Sequence, residues 1–74
     1  MNVQAKIGLR IRQLREKVGM TQKDLSFAAD LDRSYIAGVE AGKRNISIVN
    51  IEKIARALNV TTRQFFQDGL FDKH

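Results

Sequence analysis

Apolar residues recur along the first segment at the spacing of an amphipathic helix. Ile7, Ile11, Leu14 and Val18 are separated by four, three and four positions, which places them on one helical face. Gly19 follows, where a helix commonly ends at a residue with a positive φ. The pattern predicts a first helix over about residues 4–18.

Four later segments begin alike, with an apolar residue, a side chain able to cap a helix, and a second apolar residue four positions after the cap. This is the pattern of an N-cap with a hydrophobic staple. The four sets are Met20, Thr21 and Leu25; Leu31, Asp32 and Ile36; Ile46, Ser47 and Ile51; and Val60, Thr61 and Phe65. Asp24 and Gln64 can complete capping boxes with Thr21 and Thr61. Helices are predicted over about residues 22–29, 33–41, 48–58 and 62–68, without strands.

The same periodicity predicts which side chains enter the core. The second helix packs through Leu25 and Ala28, whereas Phe27 lies off that face and either covers the turn or is exposed. The fourth helix presents Ile48, Ile51, Ile54, Ala55 and Leu58. The chain has no Pro, repeat or linker, so we expect an all-α, five-helix domain over residues 1–74 with its core at about 3–68.

Length and composition restrict the chemistry. With 74 residues, no Cys and a single His, His74, the chain lacks the length for a dinucleotide-binding fold and the ligands for an ordinary zinc site. Its acids fall mainly at caps and on surfaces. We therefore expect no enzyme, cofactor or metal, and a core this small favours a dimer.

The charge favours a polyanionic partner. The formal net charge is +5, with basic groups in separate segments and only acids in residues 24–32. Nucleic acid fits this distribution, although an ordinary solvated surface gives the same count. No apolar run approaches the roughly 20 residues of a membrane span. Lys6, Arg10 and Arg12 interrupt any signal-peptide core, so we expect a cytoplasmic protein.

The second and third helices are joined by a three-residue turn, Asp30, Leu31 and Asp32, which is typical of a helix-turn-helix unit. Ile36 and Val39 form the inner face of the third helix. Its opposite face carries Arg33, Ser34, Ala37 and Gly38. Arg33 could bond a guanine bidentately in the major groove, and the small residues would permit close approach. The amides at Gln22 could hold a phosphate.

The run MTQKDLSFAADLDRSYIAGVEAGKRNISIVNIEKIARALNV resembles the helix-turn-helix family of phage Cro and CI-type repressors. Within it, LDRSYIAGVEAGKRNIS is most similar to the controller proteins of restriction-modification systems. The resemblance covers roughly residues 7–68. It implies a lambda-repressor-like domain that dimerises through helices 4 and 5 and binds a pseudo-palindromic operator. It also implies activation and repression of its own and the endonuclease genes, with RNA polymerase as a further partner.

The resemblance also assigns residues. It implies base contacts by Arg33, Ser34 and Ala37 and a structural ion pair between Arg15 and Glu40. It implies DNA backbone contacts by Gln22, Tyr35, Lys43, Arg44, Asn45 and Ser47. The chain departs from the family at Asp30, where Gly is usual, at Ser26, where Ala is usual, and at Ala37, where related controllers often have Ser. We expect Asp30 to be left-handed and the Ser26 hydroxyl to bond back to its helix.

Several alternatives remain open. Arg33 could pair with Asp30 or Asp32, and Lys43 and Arg44 could merely solvate a loop. Arg10, Arg12 and Lys17 are interpreted as a solvated face of helix 1. Val49, Phe66 and Leu70 are the candidate dimer interface. Alternative functions are a phage or plasmid repressor, an antitoxin, or a protein-interaction module that uses the helix 5 surface.

Overall fold

The computed structural model describes residues 1–72, which are helical without strands. The elements are α1 (Val3–Lys17), α2 (Gln22–Ala29), α3 (Arg33–Glu40), α4 (Ile48–Ala57) and α5 (Thr62–Phe66), followed by a 3₁₀ helix at Gly69–Phe71. The predicted all-α fold with five α-helices is confirmed. The last α-helix ends two residues earlier than predicted, and His74 lies outside the described residues.

Capping boxes begin α2 and α5, as predicted. The Thr21 hydroxyl accepts from the Asp24 amide at 3.0 Å, and the Asp24 carboxylate accepts from the Thr21 amide at 2.9 Å. Thr61 and Gln64 repeat this exchange at 3.0 and 2.9 Å. Hydrogen bonds from Thr21 favour the ionised carboxylate and lower the pKa of Asp24.

The starts of α3 and α4 differ from each other. The Ser47 hydroxyl accepts from the Asn50 amide at 3.1 Å, so it caps α4 as predicted. Asp32 has the extended backbone of an N-cap, but its side chain makes no capping hydrogen bond. The predicted N-cap position of Asp32 is therefore confirmed, whereas the capping hydrogen bond expected from its side chain is absent. Leu31 and Ile36, on either side of it, pack in or against the core.

One core occupies the interior of the helical layers. Its buried apolar residues are Ile7, Ile11, Leu14, Leu25, Ala29, Ile36, Val39, Ile51, Ile54, Ala55, Leu58 and Phe65. Three core predictions are wrong. Val18, at the end of α1, and Ile48, the first residue of α4, are 52% and 66% exposed because both lie at helix ends beyond the packed turns. In α2, Ala29 is buried and Ala28 is exposed.

The turn between α2 and α3 follows the expectations for its two unusual residues. Asp30 adopts the left-handed conformation, with φ 55° and ψ 50°. The Ser26 hydroxyl donates to the Lys23 carbonyl at 2.7 Å. Phe27 is 75% exposed, which answers the question that the sequence left open.

Gly8 marks the closest approach of α1 to α3. A Cβ at Gly8 would lie 2.4 Å from the Val39 carbonyl oxygen and 2.6 Å from that of Glu40. Both contacts are to backbone, which cannot move aside as a side chain can. The missing side chain therefore allows α1 to pack directly on the C-terminal end of α3.

Arg10 joins α1 to the end of α5, contrary to the interpretation of a solvated face. Its Nε donates to the Phe65 carbonyl at 2.7 Å, and its Nη2 donates to the Gln64 carbonyl at 2.9 Å. Its Nη1 lies 3.3 Å from an Asp68 carboxylate oxygen. The guanidinium thus binds two carbonyls at the end of α5, that of Phe65, which is one of the last four of the helix, and that of Gln64, which also accepts from the Gln67 backbone N–H.

Among residues 1–72, no helix combines the length and the apolar character that crossing a bilayer requires.

Candidate nucleic-acid interface

Helix α3 presents opposite faces to the core and to solvent. Ile36 and Val39 are buried, whereas Arg33 and Ser34 in the first turn are exposed and Ala37 is half-buried. The three predicted base-contacting residues therefore share the outer side of a helix whose inner side is fixed. A convex, narrow helix face of this kind can enter a DNA major groove.

A buried ion pair fixes the far end of α3 to α1. Arg15 Nε lies 2.8 Å from Glu40 Oε2, and Arg15 Nη2 lies 3.0 Å from Glu40 Oε1. The two side chains are 13% and 5% exposed. The hydrogen bond to Glu40 raises the pKa of Arg15, because it stabilises the charged guanidinium. Arg15 Nη1 also donates to the Met20 carbonyl at 2.8 Å.

The same ion pair orients the start of α2. Gln22 Nε2 donates to Glu40 Oε1 at 3.2 Å, so the amide of the first residue of α2 is tied to the last residue of α3. One amide hydrogen of Gln22 and the first backbone amides of α2 remain for an anion such as phosphate. Gln22 and Arg15 thus contact the same Glu40 carboxylate. The sequence assigned Gln22 to the DNA backbone and Arg15 to Glu40, and it did not predict that the three side chains meet.

Arg33 forms no ion pair with Asp30 or Asp32 within residues 1–72. Its guanidinium projects from the first helical residue of α3, and the residue is exposed. Its five donors are thus available to a ligand with planar, paired acceptors.

The segment between α3 and α4 supplies further donors. Lys43, Arg44 and Asn45 are exposed in it. The Arg44 guanidinium carbon lies 5.1 Å from the centroid of the Tyr35 ring, within the range of a cation–π contact. Ser47 lies at the end of the segment and retains its hydroxyl hydrogen for donation while it caps α4.

Two residues that the sequence did not assign, and a third that it placed on the outer face of α3, support this segment. Asn50 Nδ2 donates to the Tyr35 hydroxyl at 3.1 Å, and Gln4 Nε2 donates to the Asn45 side-chain oxygen. Gly38 lies under the stem of Arg44 rather than facing open space. Of the two unassigned residues, Asn50 carried a sequence signal, since it stands three residues after a predicted cap on the helix that follows the basic segment.

The predicted dimer residues differ in exposure. Val49 is 60% exposed and lies beside Ile48, which extends the apolar surface on α4. Phe66 and Leu70 are half-buried. The Phe66 ring packs edge to face against Phe65 and Phe71, with centroid distances of 5.1 Å to both. Among the predicted dimer residues, the strongly exposed apolar surface therefore lies at the start of α4 rather than on α5.

Known proteins share both the sequence and the fold of this chain. Residues 11–65 match the helix-turn-helix family. The control protein C.MunI of a Mycoplasma species is 38% identical over 68 residues, which cover 90% of this chain and 92% of that protein. The control protein C.BamHI of Bacillus amyloliquefaciens is 47% identical over 60 residues, covering 80% and 74%.

Two solved structures extend the similarity. The restriction-modification controller protein C.AhdI from Aeromonas hydrophila superimposes with a TM-score of 0.82 at 49% identity, covering 85% of this chain and 96% of that chain. The controller C.Esp1396I, solved as a tetramer in complex with its natural 35 base-pair operator, gives a TM-score of 0.85 at 37% identity, covering 90% and 88%. The chain belongs to the helix-turn-helix family and, within it, to the controller proteins of restriction-modification systems.

Proposed function

We propose that this protein is a sequence-specific, DNA-binding transcriptional regulator. It acts in the cytoplasm as a homodimer on a pseudo-palindromic operator. In the role of a restriction-modification controller, it activates and represses its own gene and the endonuclease gene. It performs no catalysis of its own and requires no cofactor.

The observation that carries the proposal is the first turn of α3. Arg33 and Ser34 are exposed there, while the opposite face of the helix is buried and its far end is held by the ion pair of Arg15 with Glu40. A rigidly mounted helix with an unpaired Arg at its N-terminus can read a guanine through O6 and N7. Ala37 provides an apolar contact one turn farther along.

Backbone contacts set the register of that helix on the duplex. We assign phosphate binding to Tyr35 on α3 itself and to donors on both sides of that helix, which are Gln22, Lys43, Arg44, Asn45 and Ser47. Such contacts supply affinity that depends on salt but carry little sequence information. Base contacts by Arg33, Ser34 and Ala37 therefore supply specificity, and the backbone contacts supply general affinity.

Dimerisation uses the apolar surface at the start of α4. Val49 and its neighbour Ile48 are the exposed apolar residues there, and Phe66 and Leu70 contribute from the chain that follows. A two-fold axis at this surface gives each operator half-site one α3. The tetramer of C.Esp1396I on 35 base pairs supports two such dimers on adjacent sites.

The test is selection of binding sites from a random duplex pool, followed by affinity measurements at two salt concentrations. We expect a palindrome with guanine at symmetric positions. Arg33→Ala should weaken binding to it by roughly 10- to 100-fold per half-site, the value of a bidentate contact. Arg63→Ala removes the same charge from the exposed surface of α5 and serves as the matched control.

Two results would overturn the proposal. Binding that selects no sequence and weakens steeply with salt would mean that the positive charge is generic. Equal losses for Arg33→Ala and Arg63→Ala would mean that Arg33 acts only through its charge. The first result would direct attention to protein partners instead of an operator, and the second would assign base readout to residues other than Arg33.

A further inference from the structure

Gly38 is a glycine whose backbone does not require glycine. It lies inside α3, between Ala37 and Val39, and its φ is not positive. Glycine weakens a helix relative to alanine because it has more conformational freedom to lose. Because α3 has only eight residues, the loss of helix stability at this glycine calls for a reason other than backbone conformation.

The stem of Arg44 occupies the space beside Gly38. A Cβ built on Gly38 would lie 2.7 Å from Arg44 Cδ and 2.9 Å from Arg44 Cγ. Both distances are shorter than any ordinary contact between carbon atoms. An alanine would therefore displace the side chain of Arg44 from the surface of α3.

The head of Arg44 has its own partner on the same helix. Its guanidinium carbon is 5.1 Å from the Tyr35 ring centroid, and the Tyr35 hydroxyl accepts from Asn50 Nδ2 at 3.1 Å. The loop that carries Arg44 is held from the other side, where Gln4 donates to Asn45. Groups on α3 and α4 thus hold the Arg44 side chain, and a group on α1 holds the loop that carries it.

We propose that Gly38 is a positioning residue that forms a seat for Arg44, so that Arg44 meets the DNA backbone already ordered. The seat consists of Gly38, Tyr35 and Asn50. The inference rests on the proposed function, because it explains how the Arg44 side chain is ordered before it makes its assigned phosphate contact. An arginine that is fixed before binding loses less rotamer freedom when it contacts a phosphate.

This role differs from that of a small residue that lets DNA approach α3. If the space beside Gly38 admits DNA, the effect of an alanine at position 38 on DNA affinity should not depend on Arg44. If the space belongs to Arg44, the effect of an alanine at position 38 must vanish once Arg44 is truncated. The two roles therefore make opposite predictions in a double-mutant cycle.

The first measurement uses the protein without DNA. The chemical shifts of the Arg44 side-chain methylene protons report their position relative to the Tyr35 ring. We expect Gly38→Ala to move these shifts toward values for a solvated arginine, while the fold and melting temperature are retained because alanine favours the helix. Gly69→Ala is the matched control, since a Cβ there meets no atom within 4 Å. Unchanged Arg44 shifts in Gly38→Ala would refute the seat.

The second measurement is the affinity of the dimer for its selected operator. Gly38→Ala should weaken binding by about two- to fivefold per half-site, the order of an exposed cation–π contact that orders the arginine. In the Arg44→Ala background, Gly38→Ala should change the affinity no further. If Gly38→Ala weakens operator binding as much in the Arg44→Ala background as in the wild type, the positioning role is refuted and the space beside Gly38 is assigned to DNA.

The two proposals fail differently. If the wild-type protein selects no operator, the proposed function fails, and the role of the seat in DNA binding fails with it. If the wild-type protein binds a specific operator and Gly38→Ala binds it equally well, only the positioning role is refuted. Displaced Arg44 shifts together with a coupled loss of affinity would support both.

Discussion

The buried ion pair between α1 and α3 provides a sharp test of what holds the recognition helix in place. Glu40→Gln keeps the shape of the side chain but removes its charge. Glu40 is nearly buried and accepts from Arg15 at 2.8 and 3.0 Å and from Gln22 at 3.2 Å. The substitution leaves the Arg15 cation without its counter-charge and turns an amide NH₂ group toward donors.

Breaking a buried pair by removing one partner costs about 3–5 kcal/mol. We take the lower end, about 3 kcal/mol, because Arg15 is partly exposed and keeps its bond to the Met20 carbonyl. For a domain of this size, that loss corresponds to a fall in melting temperature of roughly 12–24 °C. It is a large share of the roughly 5–15 kcal/mol that stabilises a typical domain.

The chain contains a matched control for this change. Arg12 and Glu16 form an exposed pair at 3.4 Å, four residues apart on α1. Glu16→Gln removes the same charge and should cost at most about 0.5 kcal/mol. The assay is urea unfolding followed by far-UV circular dichroism, at one protein concentration because dimerisation makes stability depend on concentration.

The measurement can refute the reasoning directly. Equal losses for Glu40→Gln and Glu16→Gln would mean that the pair between helices contributes no more than a surface pair. We also expect Arg15→Met combined with Glu40→Leu to recover much of the stability, since apolar replacement of a buried pair is often neutral. That double variant should still bind operator weakly, because Gln22 has lost the carboxylate that orients it.

Three further changes test other parts of the structure. Gly8→Ala should cost about 2–3 kcal/mol, because its Cβ would lie 2.4 Å from a backbone carbonyl oxygen of α3; thermal unfolding beside Gly69→Ala measures this, and equal stabilities would contradict it. The pKa of Asp24 is lowered below 3.8 in the folded protein. The ionised carboxylate therefore contributes to the free energy of unfolding above that pH, and this contribution disappears as the pH falls through the pKa of the folded state. The stability gap between the wild type and Asp24→Asn should therefore narrow below about pH 4, and a gap independent of pH in unfolding experiments would be the contrary result. Val49→Glu should convert the dimer to monomers in sedimentation equilibrium, whereas Phe27→Glu, at a still more exposed apolar residue of α2, should not; a dimer that survives Val49→Glu places the interface elsewhere.

The helices could be predicted because their starting signals are local. A capping box spans four residues, so the letters around Thr21 and Thr61 contain both the donor and the acceptor of each bond. Asp32 shows the limit of such a signal, since the same pattern of letters produces a helix start without the capping bond. The periodic core pattern fails at Val18 and Ile48 for a related reason: the period assumes a continuing helix, and both residues lie at helix ends.

Contacts across the fold could not be predicted from residue type alone. The sequence showed Arg10 as one basic residue of a polar helix face. The carbonyls that it binds belong to Gln64 and Phe65, 54 and 55 residues away. The Phe65 carbonyl is one of the last four carbonyls of α5, which a helix leaves without intrahelical donors, whereas the Gln64 carbonyl also accepts from the Gln67 backbone N–H. The contact joins the two ends of the domain, and the spacing of residues within α1 contains no information about it.

The outer face of α3 contains residues whose position the sequence predicted and one residue whose role it could not predict. Arg33 and Ser34 could be placed on it because the buried positions of Ile36 and Val39 fix the rotation of the helix. The purpose of Gly38 could not be found in this way, since periodicity tells which side a residue faces and not what covers that side. The cover is Arg44, six residues later, and its path depends on the turn at Gly42, where φ is 73°. A small residue on a recognition helix therefore has two possible occupants for its space, the DNA and the protein itself, and only the course of the following loop decides between them.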